Sequence, residues 1–173
     1  MAIVFQAGDL AAEAIPDAEA GSMQPLLERC EDFLQLTYGR PALPGQARDI
    51  PSGRPPGLAP GQGHLLALRT ADGGLAGMIE ALRDYPVPGD WYLGILLLAP
   101  EARGQGRGEA VVRAYEAHVR AHGGRRVRLA VLEQNTPAHR FWTRMGYLPE
   151  EWMGPKQQGL KFNRLLRMSR VLE

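Results

Sequence analysis

Arg103-Gly104-Gln105-Gly106-Arg107-Gly108 decides the reading of this chain, because of what stands on either side of it. Upstream runs Trp91-Tyr92-Leu93-Gly94-Ile95-Leu96-Leu97-Leu98, an apolar stretch of strand length closed by Ala99-Pro100. Downstream, Glu109 to His122 spaces Val111, Val112, Tyr115 and Val119 along one face of a helix. A glycine-rich turn therefore joins a buried strand to a helix N-terminus. Glycines without side chains let backbone N–H groups converge on an anion, and the helix dipole adds partial positive charge at the same point. The hexapeptide reads as a phosphate cradle. Two other phosphate patterns fail here. A Walker A loop needs Gly-Lys-Ser/Thr, and Gly108 is followed by Glu109-Ala110. A dinucleotide fingerprint needs G-x-G-x-x-G, whereas Gly104, Gly106 and Gly108 alternate.

Beyond the helix, Gly123-Gly124 stops it and Val127 to Leu132 reads as a strand leading into Glu133-Gln134-Asn135. Thr136 to Tyr147 then forms a second helical pattern. Thr136 is suited to cap it, Pro137 suits its first turn, and Gly146 suits its C-terminal stop.

Together these segments resemble the GNAT acetyltransferase superfamily. Arg103 to Gly108 resembles motif A, R/Q-x-x-G-x-G/A, and Asn135 to Tyr147 resembles motif B, N-x-x-A-x-x-F-Y-x-x-x-G-F/Y. The resemblance spans residues 91–147, with both motifs in order. It implies an α/β (α+β) GNAT fold: a mixed, mostly antiparallel twisted sheet of six to seven strands flanked by about four helices. It also implies an acetyl-CoA-dependent N-acetyltransferase in which an amine attacks the thioester directly within a ternary complex. By the same resemblance, Arg103, Gly104, Gln105, Gly106, Arg107, Gly108 and Glu109 hold the coenzyme pyrophosphate. The backbone of Leu96, Leu97 and Leu98 meets the pantetheine arm and thioester carbonyl. Asn135 and Phe141 complete the coenzyme site, although Asn is also a good helix cap.

Composition sets outer bounds. The 173 residues fit a single domain spanning 1–173 with a core of useful size. A formal net charge of +1 gives no bulk attraction to nucleic acid or membrane, and no apolar run reaches membrane-span length. The first residues lack a basic leader, and Cys30 is the only cysteine, which suits a reducing cytoplasm. No metal-ligand spacing appears, so no metal is expected. A cytoplasmic monomer or small oligomer, a homodimer included, is the ordinary expectation.

The rest of the chain gives a coarse outline. Ile3-Val4-Phe5 reads as a short strand, and Ser22 as the cap of a helix whose face carries Met23, Leu26, Leu27, Cys30, Phe33 and Leu34. From Gly39 to Gly63 about half the residues are Pro or Gly, which leaves room only for a turn around Gln46–Asp49. His64–Leu68 and Leu75–Ala81 flank Thr70-Ala71-Asp72-Gly73-Gly74 as a hairpin, and Lys161–Met168 suits a last strand. The Pro/Gly-rich segment is expected to form a mobile wall of the acceptor pocket, entered from Phe33, Leu34 and Tyr38.

Acetyl transfer to an amine poses three problems. The amine must lose its proton, since an alkylammonium is almost wholly charged at neutral pH. A donor must face the developing oxyanion. The leaving thiolate gains from a proton. Glu80, in an otherwise apolar strand, is the candidate base, against an outward-facing position that strand alternation equally permits. For the acid, many relatives carry tyrosine after the motif B phenylalanine, but here Trp142 stands there, and an indole N–H is not a proton source near neutral pH. Either the thiolate leaves unassisted or another tyrosine serves. Tyr92 is the candidate, and Tyr147 reads as core. Asp84 and Asp90 read as turn residues, and His118, His122 and His139 as solvent-facing. The arginines from Arg120 to Arg128 read as a solvated helix end. Three functions stand side by side: acetylation of a small-molecule amine, acetylation of a protein N-terminus, and a catalytically silent acyl-CoA-binding domain.

Overall fold

A computed structural model describes residues 2–173. Eight strands form one sheet in the order β1-β2-β3-β4-β5-β6-β8-β7. In chain order they are β1 (Ile3–Ala7), β2 (Leu10–Ile15), β3 (Gly63–Arg69), β4 (Leu75–Leu82), β5 (Asp90–Leu98), β6 (Arg126–Leu132), β7 (Leu148–Gln158) and β8 (Lys161–Val171). Four α-helices accompany them: α1 (Gln24–Arg29), α2 (Glu31–Tyr38), α3 (Arg107–Ala121) and α4 (Thr136–Arg144). The sheet has one strand more than the upper expectation of seven.

Every neighbouring pair is antiparallel except β5 and β6, which are joined through α3. A parallel pair needs such a crossover, and the helix covers one sheet face. On β6 the alternation is plain: Val127, Leu129 and Val131 are buried while Arg128 and Ala130 are half-exposed. Trp91 meets Tyr115 and His118 of α3 edge-on, with ring centroids 6.3 and 5.8 Å apart, which fixes the face α3 covers. His64 stacks on Trp91 from the same side at 5.7 Å. The histidines of α3 are thus not all solvent-facing. Burial depresses the His118 imidazole to about 4, and His139 Nε2 lies 2.8 Å from the Leu132 carbonyl.

The first helical stretch is broken. Asp17–Met23 forms a 3-10 turn, Ser22 Oγ bonds back to the Glu19 carbonyl at 2.7 Å, and α1 starts after Met23. Ser22 is therefore not the cap. The chain bends at Cys30 before α2 runs on to Gly39, whose left-handed backbone (φ 69°) ends it.

Gly39 to Gly63 holds itself through side chains rather than a ladder. Gln46 Oε1 accepts from the Leu43 N–H at 2.9 Å, Gln24 Oε1 from the Ala47 N–H at 2.9 Å, and Gln62 Nε2 donates to the Arg83 carbonyl at 3.0 Å. The short 3-10 turn at Gln46–Asp49 falls where expected.

Candidate active site

The central feature is a wedge in the sheet. β5 pairs with β6 only from Asp90↔Arg126 to Leu93↔Leu129. Beyond that point β5 stays with β4 as far as Leu98↔Gly77, while β6 stays with β8 as far as Leu132↔Leu165. The backbone of Leu96, Leu97 and Leu98 therefore pairs on one edge and faces the wedge with the other. A bulge marks the root. Glu80 pairs with Ile95 and Ala81 with Leu93, leaving Gly94 as the extra residue.

The loop from Arg103 to Gly108 sits at the C-terminal end of β5, where open α/β sheets bind their ligands. Gly104, Gln105 and Gly106 are all left-handed, with φ of 82°, 56° and 74°. The Arg107 N–H closes this turn on the Gly104 carbonyl at 3.3 Å, and the first turn of a helix leaves N–H groups without intrahelical partners. Space beside Gly104 and Gly106 is open, since a Cβ at either would meet no heavy atom within 4 Å. The backbone of this loop is thus open to an approaching anion. Its arginines are already engaged. Arg107 Nη2 lies 2.8 Å from Asp9 Oδ2, while Arg103 pairs with Asp32 and donates through Nε to the Leu98 carbonyl at 3.0 Å. These guanidinium groups hold the Asp9 and Asp32 carboxyls below the usual carboxylate range.

Asn135, not Thr136, caps α4, its Oδ1 accepting from the Ala138 N–H at 3.3 Å. Phe141 packs against the start of α3, its ring 3.5 Å from where a side chain at Gly108 would begin. Glu109 stands exposed in the first turn of α3. Trp142 is buried edge-on between Phe141 and Tyr147, each at 4.9 Å. Tyr147 is core, its hydroxyl bonded to the buried Glu116 at 3.1 Å. Asp84 takes the turn role, accepting from the Gly89 N–H at 2.8 Å. Asp90 does not. It is buried as the first residue of β5 and receives Arg128 Nε at 2.7 Å.

Glu80 lies at the wedge root and is 7% exposed, so the outward-facing position is excluded. Its Oε1 accepts from Arg54 Nε at 2.7 Å. Its Oε2 takes no hydrogen bond among the described residues and lies 2.6 Å from where a side chain on Gly94 would begin. Only a glycine at the bulge admits it. Burial pushes the Glu80 carboxyl up, and Arg54 opposes that push. The Arg54 Nη1 also binds Asp17 Oδ2 at 2.7 Å.

Tyr92 shares Glu80's sheet face, since it pairs with Leu82, two residues along β4. It is half-buried, edge-on to Tyr85 at 6.1 Å. Burial pushes its phenol up, while Arg167 of β8 pulls the other way. Arg167 pairs in register with Ala130, one residue past the end of the β5–β6 pairing.

Asp17, Arg54 and Arg167 escape a reading of the sequence. Arg54 lies in an aperiodic Pro/Gly-rich segment, and Arg167 looks like an ordinary strand arginine. The described residues contain no group of three or more His, Cys, Asp or Glu able to hold a metal, and no helix long and apolar enough to cross a membrane.

A family model described as the acetyltransferase (GNAT) family matches residues 26–147. No curated protein sequence matches. Solved structures do, at low identity. An acetyltransferase from Salmonella typhimurium that modifies the N-terminal serine of ribosomal protein L7/L12 is 16% identical, with TM-score 0.76 over 96% of both chains. The spermidine N-acetyltransferase of Vibrio cholerae, solved with CoA and spermine, is 14% identical, with TM-score 0.70 over 94% of this chain and 95% of that one. An acetyltransferase from Thermus thermophilus is 20% identical, with TM-score 0.68 over 93% of this chain and 97% of that one.

Proposed function

The chain belongs to the GNAT acetyltransferase family, and on that premise we propose that it transfers the acetyl group of acetyl-CoA to a primary amine of a small molecule, with Glu80 as proton acceptor. The observation that carries the proposal is the carboxylate at the wedge root, one oxygen pinned and the other free beside Gly94. Acetyl-CoA supplies an acyl group activated as a thioester. The chain supplies position and proton transfer.

Backbone amides between Gly104 and Glu109 hold the pyrophosphate, and the edge of Leu96 to Leu98 that has no strand partner aligns the arm, its Leu98 carbonyl held by Arg103. Asn135, with its Oδ1 turned to the helix, has its amide nitrogen left for that arm, and Phe141 backs the cradle. An acceptor arrives as an ammonium ion. Two carboxylates around one guanidinium, Asp17 and Glu80 around Arg54, leave a net negative charge that favours it. Glu80 Oε2 takes the proton, directly or through one water, and the amine lone pair then attacks within the ternary complex. Tyr92 is kept protonated by its burial and is the chain's donor to the leaving sulfur. An open cavity of about 390 Å³ lies beside the Arg54–Glu80 pair, lined by Asp17, Arg54 and Gly63 but not by Glu80.

A second reading, acetylation of a protein N-terminus, draws on the Salmonella relative. One assay separates the readings. Free thiol release from acetyl-CoA is followed across small amines, polyamines and N-terminal peptides. Turnover with small amines supports the proposal. Turnover with peptides alone moves the acceptor to proteins, and coenzyme binding without turnover leaves a silent binding domain.

A further inference from the structure

Arg54 reaches Glu80 from outside the sheet. It belongs to the Pro/Gly-rich segment, directly after a 3-10 turn at Pro51–Gly53, in a stretch without strand or helix. Yet its side chain is only 11% exposed and Glu80's only 9%. Nothing in the local backbone demands such burial of a guanidinium. Asp17 and Glu80 take Nη1 and Nε, while Nη2 is buried without a partner. A buried, incompletely satisfied charge is costly, so the contact is retained against a penalty.

The path to the carboxylate depends on Gly63, the first residue of β3. A Cβ there would lie 2.4 Å from Arg54 Cζ and 2.6 Å from Nε. The guanidinium therefore lies against bare backbone at Gly63 as it meets Glu80. The contact is also one-sided. Nε takes Oε1 alone, and Oε2 is turned to Gly94 and the wedge. A fork gripping both oxygens would mask the base, whereas this one orients it.

We propose that Arg54 is a positioning residue for Glu80, so that the acceptor-side segment supplies the group that orients the base. This rests on Glu80 being the base. The segment thus does more than wall a pocket: while it is docked the carboxylate is aimed, and displacing it removes both the aim and the cation that favours the ionised form. Other charged groups around Glu80 do not substitute. Asp17 is a second carboxylate and opposes ionisation, and Tyr115 of α3 offers only a buried hydroxyl. His64 of β3, near Arg54, is itself held neutral by burial.

The base works ionised, so kcat/KM falls below its pKa. Burial raises Glu80, Arg54 lowers it, and loss of Arg54 moves the acid limb to higher pH. The test compares pH profiles of kcat/KM for wild type, Arg54→Gln, Arg54→Lys, Gly63→Ala and Glu80→Gln, with coenzyme affinity measured by calorimetry. Arg54→Gln is expected to move the acid limb up by at least about half a pH unit and to lower kcat roughly tenfold, with coenzyme affinity unchanged. Gly63→Ala, which displaces the guanidinium but keeps its charge in the chain, should move the limb the same way. Arg54→Lys should bring the limb back toward wild type while kcat stays low, since a point charge lacks the oriented Nε. An acid limb unmoved in folded, coenzyme-binding Arg54→Gln and Gly63→Ala overturns the inference. A wild-type acid limb that survives at the same pH in Glu80→Gln overturns instead the reading of Glu80 as the base, on which it stands.

Discussion

Tyr92 carries the question of the acid at the scale of one residue. Trp142 occupies the position where a proton donor would be useful, but it is buried against Phe141 and Tyr147 and its indole is no acid at neutral pH. Tyr92 stands on the same sheet face as Glu80, beside the root of the wedge, with Arg167 close enough to offset part of the effect of its burial. A donor must stay protonated to work, so activity should fall at high pH. Tyr92→Phe is expected to lower kcat and to remove that alkaline limb, leaving coenzyme affinity unchanged. An alkaline limb that persists in Tyr92→Phe, measured with the same amine, assigns the proton elsewhere. Glu80 and Gly94 form the complementary pair. A methyl on Gly94 would begin 2.6 Å from Oε2, so Gly94→Ala should displace the carboxylate and cut kcat with little effect on stability.

Among the elements, the loop before α3 makes the clearest prediction. Gly106 has φ 74°, a conformation that a β-branched residue adopts only with strain, and it stands at the proposed approach of the phosphate. Gly106→Val is therefore expected to weaken coenzyme A binding by an order of magnitude or more in calorimetry, by about 1.4 kcal/mol per tenfold. Affinity equal to wild type would move the cradle. This loop was legible in the sequence because its chemistry is local: glycines, a strand before and a helix after. β2 was not legible. Leu10-Ala11-Ala12-Glu13-Ala14-Ile15 is rich in good helix formers, and it is a strand because β1 and β3 pair with it on both sides. β7 hides for the opposite reason. Pro149, Gly154 and Pro155 interrupt it, which an edge strand paired only with β8 tolerates. The candidate site divides the same way. The loop and helix start of the proposed coenzyme side follow from local motifs, whereas Arg54 meets Glu80 across 26 residues of chain, and no spacing rule encodes that contact.

For the molecule as a whole, the α3 side of the sheet predicts an acid sensitivity. His118, His64 and His122 gather around Trp91, with Arg83 over the same ring at 5.7 Å. Burial, helped by the neighbouring His122, His64 and Arg83, holds His118 near 4, below its ordinary value of 6.5. The unfolded chain then binds a proton that the folded chain refuses. Stability from this group is complete above about 6.5 and is lost as pH falls toward 4. Thermal melts across that range should show a declining Tm, and His118→Asn should flatten the decline. A slope identical in the variant would remove His118 from the explanation.

The account of function rests on one junction, where the wedge between β5 and β6 meets the Glu80 carboxylate. A crystal structure with coenzyme A bound tests it most directly. The account predicts the pyrophosphate on the amides of Gly104 to Glu109, the arm along Leu96 to Leu98, and the sulfur beside Gly94, within reach of Glu80 Oε2 through one bridging water. Coenzyme seated on another surface, or a sulfur that ends remote from Glu80, would contradict it.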